Sequence, residues 1–276
     1  MPTPALWALA FTLLDWPEAQ KEALWARAQE DPSFRPPGPM AADLDRLEEE
    51  LPRRRTEAAR LGAALFLPGD PGTDRLLAPL PYPVALWVRG TLPPEQPILA
   101  IVGSRQATRA GRDRARRWAR QLTEAGLGVL SGLARGVDGA AHEGALEAGP
   151  TWGILGSGLH HPYPREHQGL MDRMAASGGV ITPFPPEAAP LRWHFPRRNL
   201  ILAAWSLGVL VVEGGLRSGS LVTARLALDL GKELWVCPGA PEDPLAAGPN
   251  LLLRECAARV CRSPGDLLED LSALPR

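Results

Sequence analysis

Glycine-rich segments that follow four short apolar runs are the part of this chain best suited to binding chemistry. The glycines are Gly103, Gly132, Gly136, Gly156, Gly158, Gly214, Gly215 and Gly219. Glycine lets backbone N–H groups approach an anion closely, and the N-terminus of a following helix adds partial positive charge. If the apolar runs are parallel strands, their carboxyl ends share one edge of the sheet and the loops converge there. These segments therefore predict a phosphate-binding crevice.

Arginines and aromatic residues accompany the glycines. Arg105 follows the first glycine and Arg135 lies in the second loop. The segment 191–199 interleaves Arg192, Arg197 and Arg198 with Trp193 and Phe195. Arginines beside phosphate-binding amides can clamp a phosphate, and an aromatic ring among cations can stack on a base. For Phe195 a stacking role and a core position both remain open, whereas Trp193 is predicted to pack in the core.

The elements that must position these residues follow from the alternation of apolar runs and helical patterns after residue 90. Strands are predicted at residues 98–102, 127–130, 152–155, 179–182, 209–212 and 234–236. Helices are predicted at residues 110–124, 138–147, 166–176, 199–205 and 220–230, with a short one at 267–271. Wholly apolar strands separated by helices are typical of a parallel sheet covered on both faces. The fold class is therefore α/β, a Rossmann-like doubly wound and mostly parallel sheet.

The N-terminal quarter has a different character. Residues 6–65 carry helix-period patterns that a proline-rich stretch at 35–40 interrupts. Residues 68–83 are rich in glycine and proline and read as a connector. We therefore predict a small helical domain over residues 1–70 and the Rossmann-like domain over residues 71–276.

Composition limits the classes of function. The 276 residues carry a formal net charge of −1, so no global basic field indicates nucleic acid and any polyanion site must be local. The three cysteines, Cys237, Cys256 and Cys261, contain no C-x-x-C pair, which argues against a disulfide framework and a zinc module. No apolar run approaches 18 residues, and no signal peptide is recognisable. A cytoplasmic protein is predicted.

Residue types for catalysis are present but poorly arranged. Ser131, Asp138 and His142 could compose a hydrolytic triad, yet Asp138 is better explained as the N-cap of the following helix. His160 and His161 are adjacent and no carboxylates complete a metal site. We predict no catalytic residues, no metal and no cofactor.

Two further charged features receive structural interpretations. Glu213 ends an apolar strand at the crevice, where a carboxylate would repel a polyanion, so it is expected to orient an arginine or a loop amide. On the helix from Ala110, four arginines form one stripe, which is predicted to be a solvated outer face. They are Arg109, Arg112, Arg116 and Arg120.

Several ordered motifs resemble those of the DNA-processing protein A family, DprA/Smf, from about Pro81 to Asp266. They are Ile101-Val102-Gly103-Ser104-Arg105 with Thr108, Ser131-Gly132-Leu133-Ala134-Arg135-Gly136-Val137-Asp138 with Ala141-His142, Tyr163-Pro164, Phe195-Pro196 with Arg198-Asn199, Val211-Val212-Glu213 with Ser218-Gly219-Ser220 and Thr223-Ala224, and Pro238-Gly239 with Gly248, Asn250 and Leu251.

The resemblance implies a non-enzymatic homodimer that binds and protects single-stranded DNA during natural transformation and helps load the RecA recombinase onto it. In that family a basic pocket holds the DNA backbone while an aromatic ring stacks on a base, and the matching positions here are Arg105, Arg192 and Phe195. The complete predicted DNA-binding set is Gly103, Ser104, Arg105, Ser131, Gly132, Arg135, Gly156, Gly158, Arg192, Phe195, Arg198, Asn199, Ser218, Gly219 and Ser220.

The chain departs from the family pattern in two motifs. Leu200 replaces the second arginine of Arg-Asn-Arg, and Thr182-Pro183 replaces the usual Ser-Glu. These changes remove a cation and a carboxylate without breaking the pocket. No winged-helix domain is expected after the short helix near residue 271, and the N-terminal region resembles the family only by position and length.

Two enzymatic or cofactor-binding alternatives remain. A nucleotide phosphoribohydrolase of the lysine-decarboxylase-like family would share the fold, but Gly214-Gly215 and Gly219-Ser220 only approximate its glycine loop, and Thr223 replaces its glutamate. An NAD-binding domain is the weakest alternative, because the third glycine of the fingerprint after Gly156 and Gly158 is replaced by His161.

Overall fold

The computed structural model describes residues 2–14, 16–31 and 33–273. The chain divides into two compact units. The first contains the described residues up to Arg89 together with Ser157–His161 and Ile181–Pro190. The second contains Gly90–Gly156, Pro162–Val180 and the described residues from Leu191 onward. The domain boundary predicted near residue 70 stays a prediction, since compactness divides the chain at residues 89 and 90.

The first unit begins with helices, as the sequence predicts. Its elements are α1 (Pro4–Leu13), α2 (Glu18–Glu30), α3 (Pro39–Arg60), β1 (Ala64–Phe66), α4 (Asp74–Leu77) and β2 (Leu86–Gly90). The Thr3 hydroxyl caps α1 by accepting the N–H of Leu6 at 3.3 Å. Trp7, Phe11 and Leu47 are fully buried and form its core. The predicted connector contains the single turn α4, and β1 pairs antiparallel with β2.

The second unit alternates strands and helices. Its strands are β3 (Ile98–Val102), β4 (Gly128–Ser131), β5 (Thr151–Ile154), β7 (Gly208–Val211), β8 (Glu233–Val236) and β9 (Arg259–Val260), while β6 (Gly179–Thr182) has residues in both units. Its helices are α5 (Arg109–Glu124), α6 (Val137–Ala145), α7 (Gln168–Ser177), α8 (His194–Trp205), α9 (Gly219–Asp229), α10 (Ala247–Arg254) and α11 (Pro264–Ala273), with a 3₁₀ turn at Arg165–His167. The predicted doubly wound α/β fold is confirmed.

Strand order locates the site. Within the second unit the order is β5-β4-β3-β7-β8-β9, and every adjacent pair is parallel. The chain leaves β3 toward β4 and β5 and later returns to β7 on the other side of β3. The sheet therefore has a topological switch point between β3 and β7, where the loops after the two strands diverge and leave a crevice.

The strands are buried because their residues are apolar on both faces. Leu99, Leu210 and Trp235 are fully buried and pack with residues of α5 and α6, including Leu122. The predicted strands agree with the observed ones within two residues. This rigid apolar sheet holds the carboxyl ends of β3, β4 and β7 in fixed positions beneath the loops that follow them.

One predicted helix begins earlier than expected. α8 starts at His194 instead of Asn199 and so contains Pro196 in its first turn. Proline is tolerated there because the first N–H groups of a helix have no intrahelical acceptor. Phe195 and Arg198 therefore project from a helix and not from an extended loop, which fixes their relative spacing. Five shorter elements, β1, α4, β2, β9 and α10, were not predicted.

Candidate nucleic-acid interface

A cavity of about 590 Å³ opens at the switch point of the second unit. It is lined by Val102, Gly103, Ser104, Arg105, Gln106, Ala134, Asp138, Phe195, Arg198, Asn199, Leu202, Gly215, Arg217, Ser218, Gly219, Ser220 and Thr223. A second cavity of about 190 Å³ is lined by Arg105, Gln106, Gly132, Ala134, Arg135, Tyr163, Pro164, Phe195 and Arg198. The two share Arg105, Phe195 and Arg198, so they form one continuous candidate site. Its position agrees with the crevice that the glycine segments predict.

Phe195 lies between the two cavities in defined surroundings. A Cβ atom at Gly156 would lie 2.8 Å from Cδ1 of the ring, so only glycine leaves room for the ring at this place. The Arg105 guanidinium lies 5.0 Å from the ring centroid, and the Tyr163 ring meets Phe195 edge-on at 6.1 Å. An aromatic ring and an exposed cation are thus held side by side at the cavity wall.

Arg198 is buried at the base of the site, where the buried Asp138 attracts its charge. Only 4% of the arginine is exposed. Its guanidinium donates to the carbonyls of Gly132 and Ile154 and, at 3.0 Å, to Oδ1 of Asn199. Burial lowers the pKa of Arg198 to about 10 and raises the pKa of Asp138, and the attraction between the two charges opposes both shifts. Arg198 is predicted to contact DNA, but its guanidinium donates most of its hydrogen bonds to acceptors within the protein.

The Asp138 carboxylate occupies the nest of glycine amides. Its Oδ2 accepts the N–H of Gly132 at 3.1 Å, and the amides of Gly103 and Ala134 also hydrogen-bond to the carboxylate. The Gly132 amide is thus bonded to the protein's own carboxylate, and its predicted contact with DNA stays a prediction. The predicted N-cap role of Asp138 is wrong, because Gly136 caps α6. The loops after β3 and β4 are instead organised around the protein's own anion.

Four residues of the predicted set do not line either cavity. Gly156 packs against the Phe195 ring instead. Ser131 is fully buried, and its hydroxyl donates to the Ile101 carbonyl at 2.5 Å between adjacent strands. Gly158 belongs to the first unit, where its N–H donates to the Ala188 carbonyl at 2.8 Å. Arg192 is exposed just before α8 and is not among the lining residues. The structure does not place these four residues in the cavity wall.

The loop between β7 and α9 forms the opposite wall. Glu213 is buried, and its carboxylate accepts the N–H of Thr108 at 2.9 Å and the Thr108 hydroxyl at 2.6 Å. The prediction that Glu213 orients a loop amide is confirmed. Ser218 caps α9 by accepting the N–H of Ser220 at 3.2 Å. Ser218, Gly219 and Ser220 line the larger cavity, as does Ser104 on the facing loop.

Two cations at the site differ in how they are paired. Arg135 is exposed and forms an ion pair with Glu166, which raises the pKa of the arginine through a direct hydrogen bond. Arg217 is also exposed and lines the larger cavity, but the sequence analysis missed it. Its signal was present, because a cation stands between Gly215 and Gly219 in the loop predicted to reach the crevice.

The geometry does not support a hydrolytic triad of Ser131, Asp138 and His142. Nδ1 of His142 lies 2.8 Å from the Thr151 hydroxyl, while the Ser131 hydroxyl is bonded to a backbone carbonyl. Burial lowers the pKa of His142 to about 3, so the imidazole is neutral at pH 7. Within the described ranges, no three His, Cys, Asp or Glu side chains are grouped to hold a metal ion. None of the described helices is both long and apolar enough to cross a membrane.

Two surface predictions have opposite outcomes. The arginine stripe of α5 is exposed at all four positions, which confirms a solvated outer face. Trp193 was predicted in the core and is instead 50% exposed, with the Arg197 guanidinium 5.6 Å from its ring centroid. It stands at the N-cap position of α8, so it precedes the buried face of that helix.

Comparison with known proteins gives a consistent set of relatives. A family model described as DNA recombination-mediator protein A matches residues 74–272. Protein Smf of Escherichia coli strain K12 is 43% identical over 200 residues, which cover 71% of this chain and 53% of that protein. The DNA processing protein DprA of Bacillus subtilis strain 168 is 38% identical over 192 residues, which cover 68% and 64%. The chain thus matches between about half and two thirds of the length of these curated relatives.

Solved structures extend the likeness. The DNA processing protein A of Streptococcus pneumoniae superposes with a TM-score of 0.77 at 29% identity, covering 97% of this chain and 93% of that chain. The corresponding protein of Helicobacter pylori, whose structure was described for its single-stranded DNA binding mode, gives 0.65 at 27% identity, covering 71% and 91%.

Proposed function

The chain belongs to the DNA recombination-mediator protein A family, and from this premise we propose that it binds single-stranded DNA in the cavity at the switch point of its sheet. The bound strand places a base against Phe195 and phosphates against the cations of the cavity wall. The protein acts by binding, without catalysing a reaction on the strand.

The observation that carries the proposal is the pairing of Arg105 with Phe195. A nucleotide combines a base with an apolar face and an anionic phosphate. A site that binds it therefore needs an aromatic surface and a cation within one nucleotide's length of each other. Arg105 and Phe195 supply both from different elements, and both line the two cavities. A base that stacks on the ring takes the place of the guanidinium, which then pairs with the adjacent phosphate.

The same pairing explains a preference for single strands. In a duplex each base is stacked on its neighbours and paired, and its faces are not accessible to a side chain. A recessed ring such as Phe195, which is only partly exposed, can be reached by a base that leaves the stack. An unpaired strand meets this requirement at much lower cost than a duplex.

The wider role rests on family membership. As a member of the family, the protein protects incoming single strands during natural transformation, loads the RecA recombinase onto them and acts as a homodimer. The likeness to DprA proteins of Bacillus subtilis and Streptococcus pneumoniae supports this assignment. Strand exchange by purified RecA on strands coated with single-strand binding protein tests it, since the protein is expected to relieve the inhibition and a lack of any stimulation would contradict loading.

Fluorescence anisotropy with labelled single-stranded and double-stranded oligonucleotides of equal length tests the binding step. We expect single strands to bind more tightly, with log K falling linearly with log salt by about 0.7 per phosphate contacted. Arg105→Ala is expected to weaken binding. Arg116→Ala is the matched control, because Arg116 lies on the outer face of α5 and pairs with Glu147 at 2.5 Å. Equal affinity for single and double strands would contradict the proposal.

A further inference from the structure

We infer that Arg217 forms a second phosphate-binding position across the cavity from Arg105, so that the cavity recognises a dinucleotide segment with two phosphates instead of a single nucleotide. This inference rests on the proposed function and specifies its ligand. It assigns a role to a cation that lay outside the predicted DNA-binding set.

The charges of the cavity wall are the first line of evidence. Its lining residues carry three arginines, Arg105, Arg198 and Arg217, and one carboxylate, Asp138. The charge of Asp138 is matched by Arg198, with which it is buried. Arg105 and Arg217 have no carboxylate partner among the described residues. Two unmatched cations at one cavity call for two anionic groups on the ligand.

Three exposed arginines of the same unit provide a contrast. Arg120 pairs with Glu124 at 2.8 Å, Arg225 with Glu255, and Arg259 with Glu233 at 2.9 Å. Each of these cations is neutralised locally by a carboxylate. Arg217 is also exposed, but it lines the cavity and has no carboxylate paired with it in the described part of the chain. Its charge is therefore available to an incoming phosphate.

The placement of the two cations follows from the sheet. β3 and β7 are adjacent parallel strands, with Val102 opposite Val211. Arg105 follows β3 and Arg217 follows β7, and their loops diverge because the switch point lies between the strands. The cavity lies between these loops, so a strand that crosses it passes both Arg105 and Arg217.

The loop that carries Arg217 is anchored at its base and open at its tip. The N–H of Gly214 donates to the Leu245 carbonyl at 2.6 Å, and the Gly214 carbonyl accepts the N–H of Gly248 at 2.9 Å. The Ser218 N–H closes a turn onto the Gly215 carbonyl at 2.9 Å. A Cβ atom at Gly219 would meet nothing within 4 Å. The backbone beside Arg217 is thus rigid but uncovered, which leaves room for a phosphate.

Two dinucleotides that differ by one phosphate test the inference. TpT carries only the internucleotide phosphate, whereas pTpT adds a 5′-phosphate and keeps both bases. Each is used as a competitor against a labelled oligothymidylate. We expect the wild-type protein to prefer pTpT over TpT by about tenfold or more, as charged hydrogen bonds contribute that much.

The variants Arg217→Ala and Arg225→Ala are compared in the same assay. Arg217→Ala should bind TpT as the wild type does and lose the preference for pTpT. It should also reduce the salt slope for the oligonucleotide by about 0.7, as expected for one lost contact. Arg225→Ala, an exposed arginine of α9 that pairs with Glu255, should retain both properties.

The outcomes separate the two claims. If Arg105→Ala weakens binding while Arg217→Ala keeps the pTpT preference and the full salt slope, the second phosphate position is wrong and the proposed function stands. If the wild-type protein binds no single-stranded DNA, the proposed function is wrong and the inference falls with it. Loss of the preference in Arg217→Ala alone, with Arg225→Ala unchanged, supports the inference.

Discussion

The guanidinium of Arg105 lies 5.0 Å from the centroid of the Phe195 ring, although the two residues come from a loop after β3 and from the first turn of α8. Neither residue alone indicates a nucleic-acid site. Together at the switch point of a parallel sheet they provide a cation and an aromatic surface for one nucleotide.

Removal of the Phe195 ring is expected to weaken binding of single-stranded DNA. Loss of one stacked base costs about 1 to 3 kcal/mol. Phe195→Ala should therefore weaken the binding free energy by this amount in an anisotropy titration, and Phe195→Trp should restore most of the affinity. Leu207→Ala, at an exposed apolar residue outside the cavity, is the control. Wild-type affinity in Phe195→Ala would contradict a role of the Phe195 ring in binding DNA.

Gly156→Ala is expected to weaken binding by displacing the same ring. The new methyl group would lie 2.8 Å from Cδ1 of Phe195, so the ring must shift. Anisotropy should report lower affinity while circular dichroism reports a folded protein. Gly169→Ala in α7 is the matched control, because nothing lies within 4 Å of its Cβ position. That variant should gain about 0.4 to 1 kcal/mol of stability and bind normally.

Removing either Asp138 or Arg198, two buried residues whose charges attract each other, is expected to destabilise the fold strongly. Removing one partner of a buried pair leaves an uncompensated charge and costs about 3 to 5 kcal/mol. Asp138→Ala and Arg198→Ala should each lower the free energy of unfolding in urea by this amount, and the double variant should lose less than the sum. Arg225→Ala breaks an exposed pair and should cost less than about 1 kcal/mol. Additive losses in the double variant would contradict the coupling.

Stability is expected to fall below pH 6.5 because of His142. The folded pKa is depressed to about 3 from an ordinary value of 6.5, so between these values the unfolded chain binds the additional proton. The free energy of unfolding should therefore decrease as the pH falls through this window, by at most about 1.4 kcal/mol per pH unit from this residue. Urea titrations at several pH values should give a shallower dependence for His142→Gln. An unchanged slope in that variant would contradict the assignment.

The sequence was sufficient to predict the strands and the edge at which the site lies. Apolar runs such as Ile98–Val102 match the observed strands because burial on both faces requires an uninterrupted apolar segment. The order of the strands could not be predicted from the sequence, because β3 pairs with β7 through residues more than 100 positions apart. The location of the switch point therefore came only with the structure.

The roles of individual site residues were less predictable. The sequence predicts Asp138 as a helix cap, but α6 begins one residue earlier, and Arg198 and the Gly132 amide interact with its buried carboxylate. Trp193 was assigned to the core on its apolar character, and the earlier start of α8 leaves it exposed instead. Both errors have the same cause, because tertiary contacts and a helix boundary decide which way a side chain points.

Photo-crosslinking tests most directly whether the cavity holds the strand. A short single strand with 5-iodouracil at every base is irradiated with the wild-type protein, and the modified peptides are mapped by mass spectrometry. We predict adducts at Phe195, within the tryptic peptide Trp193–Arg197, and their loss in Arg105→Ala at the same strand concentration. Adducts confined to the first compact unit or to the arginine face of α5 would contradict the account.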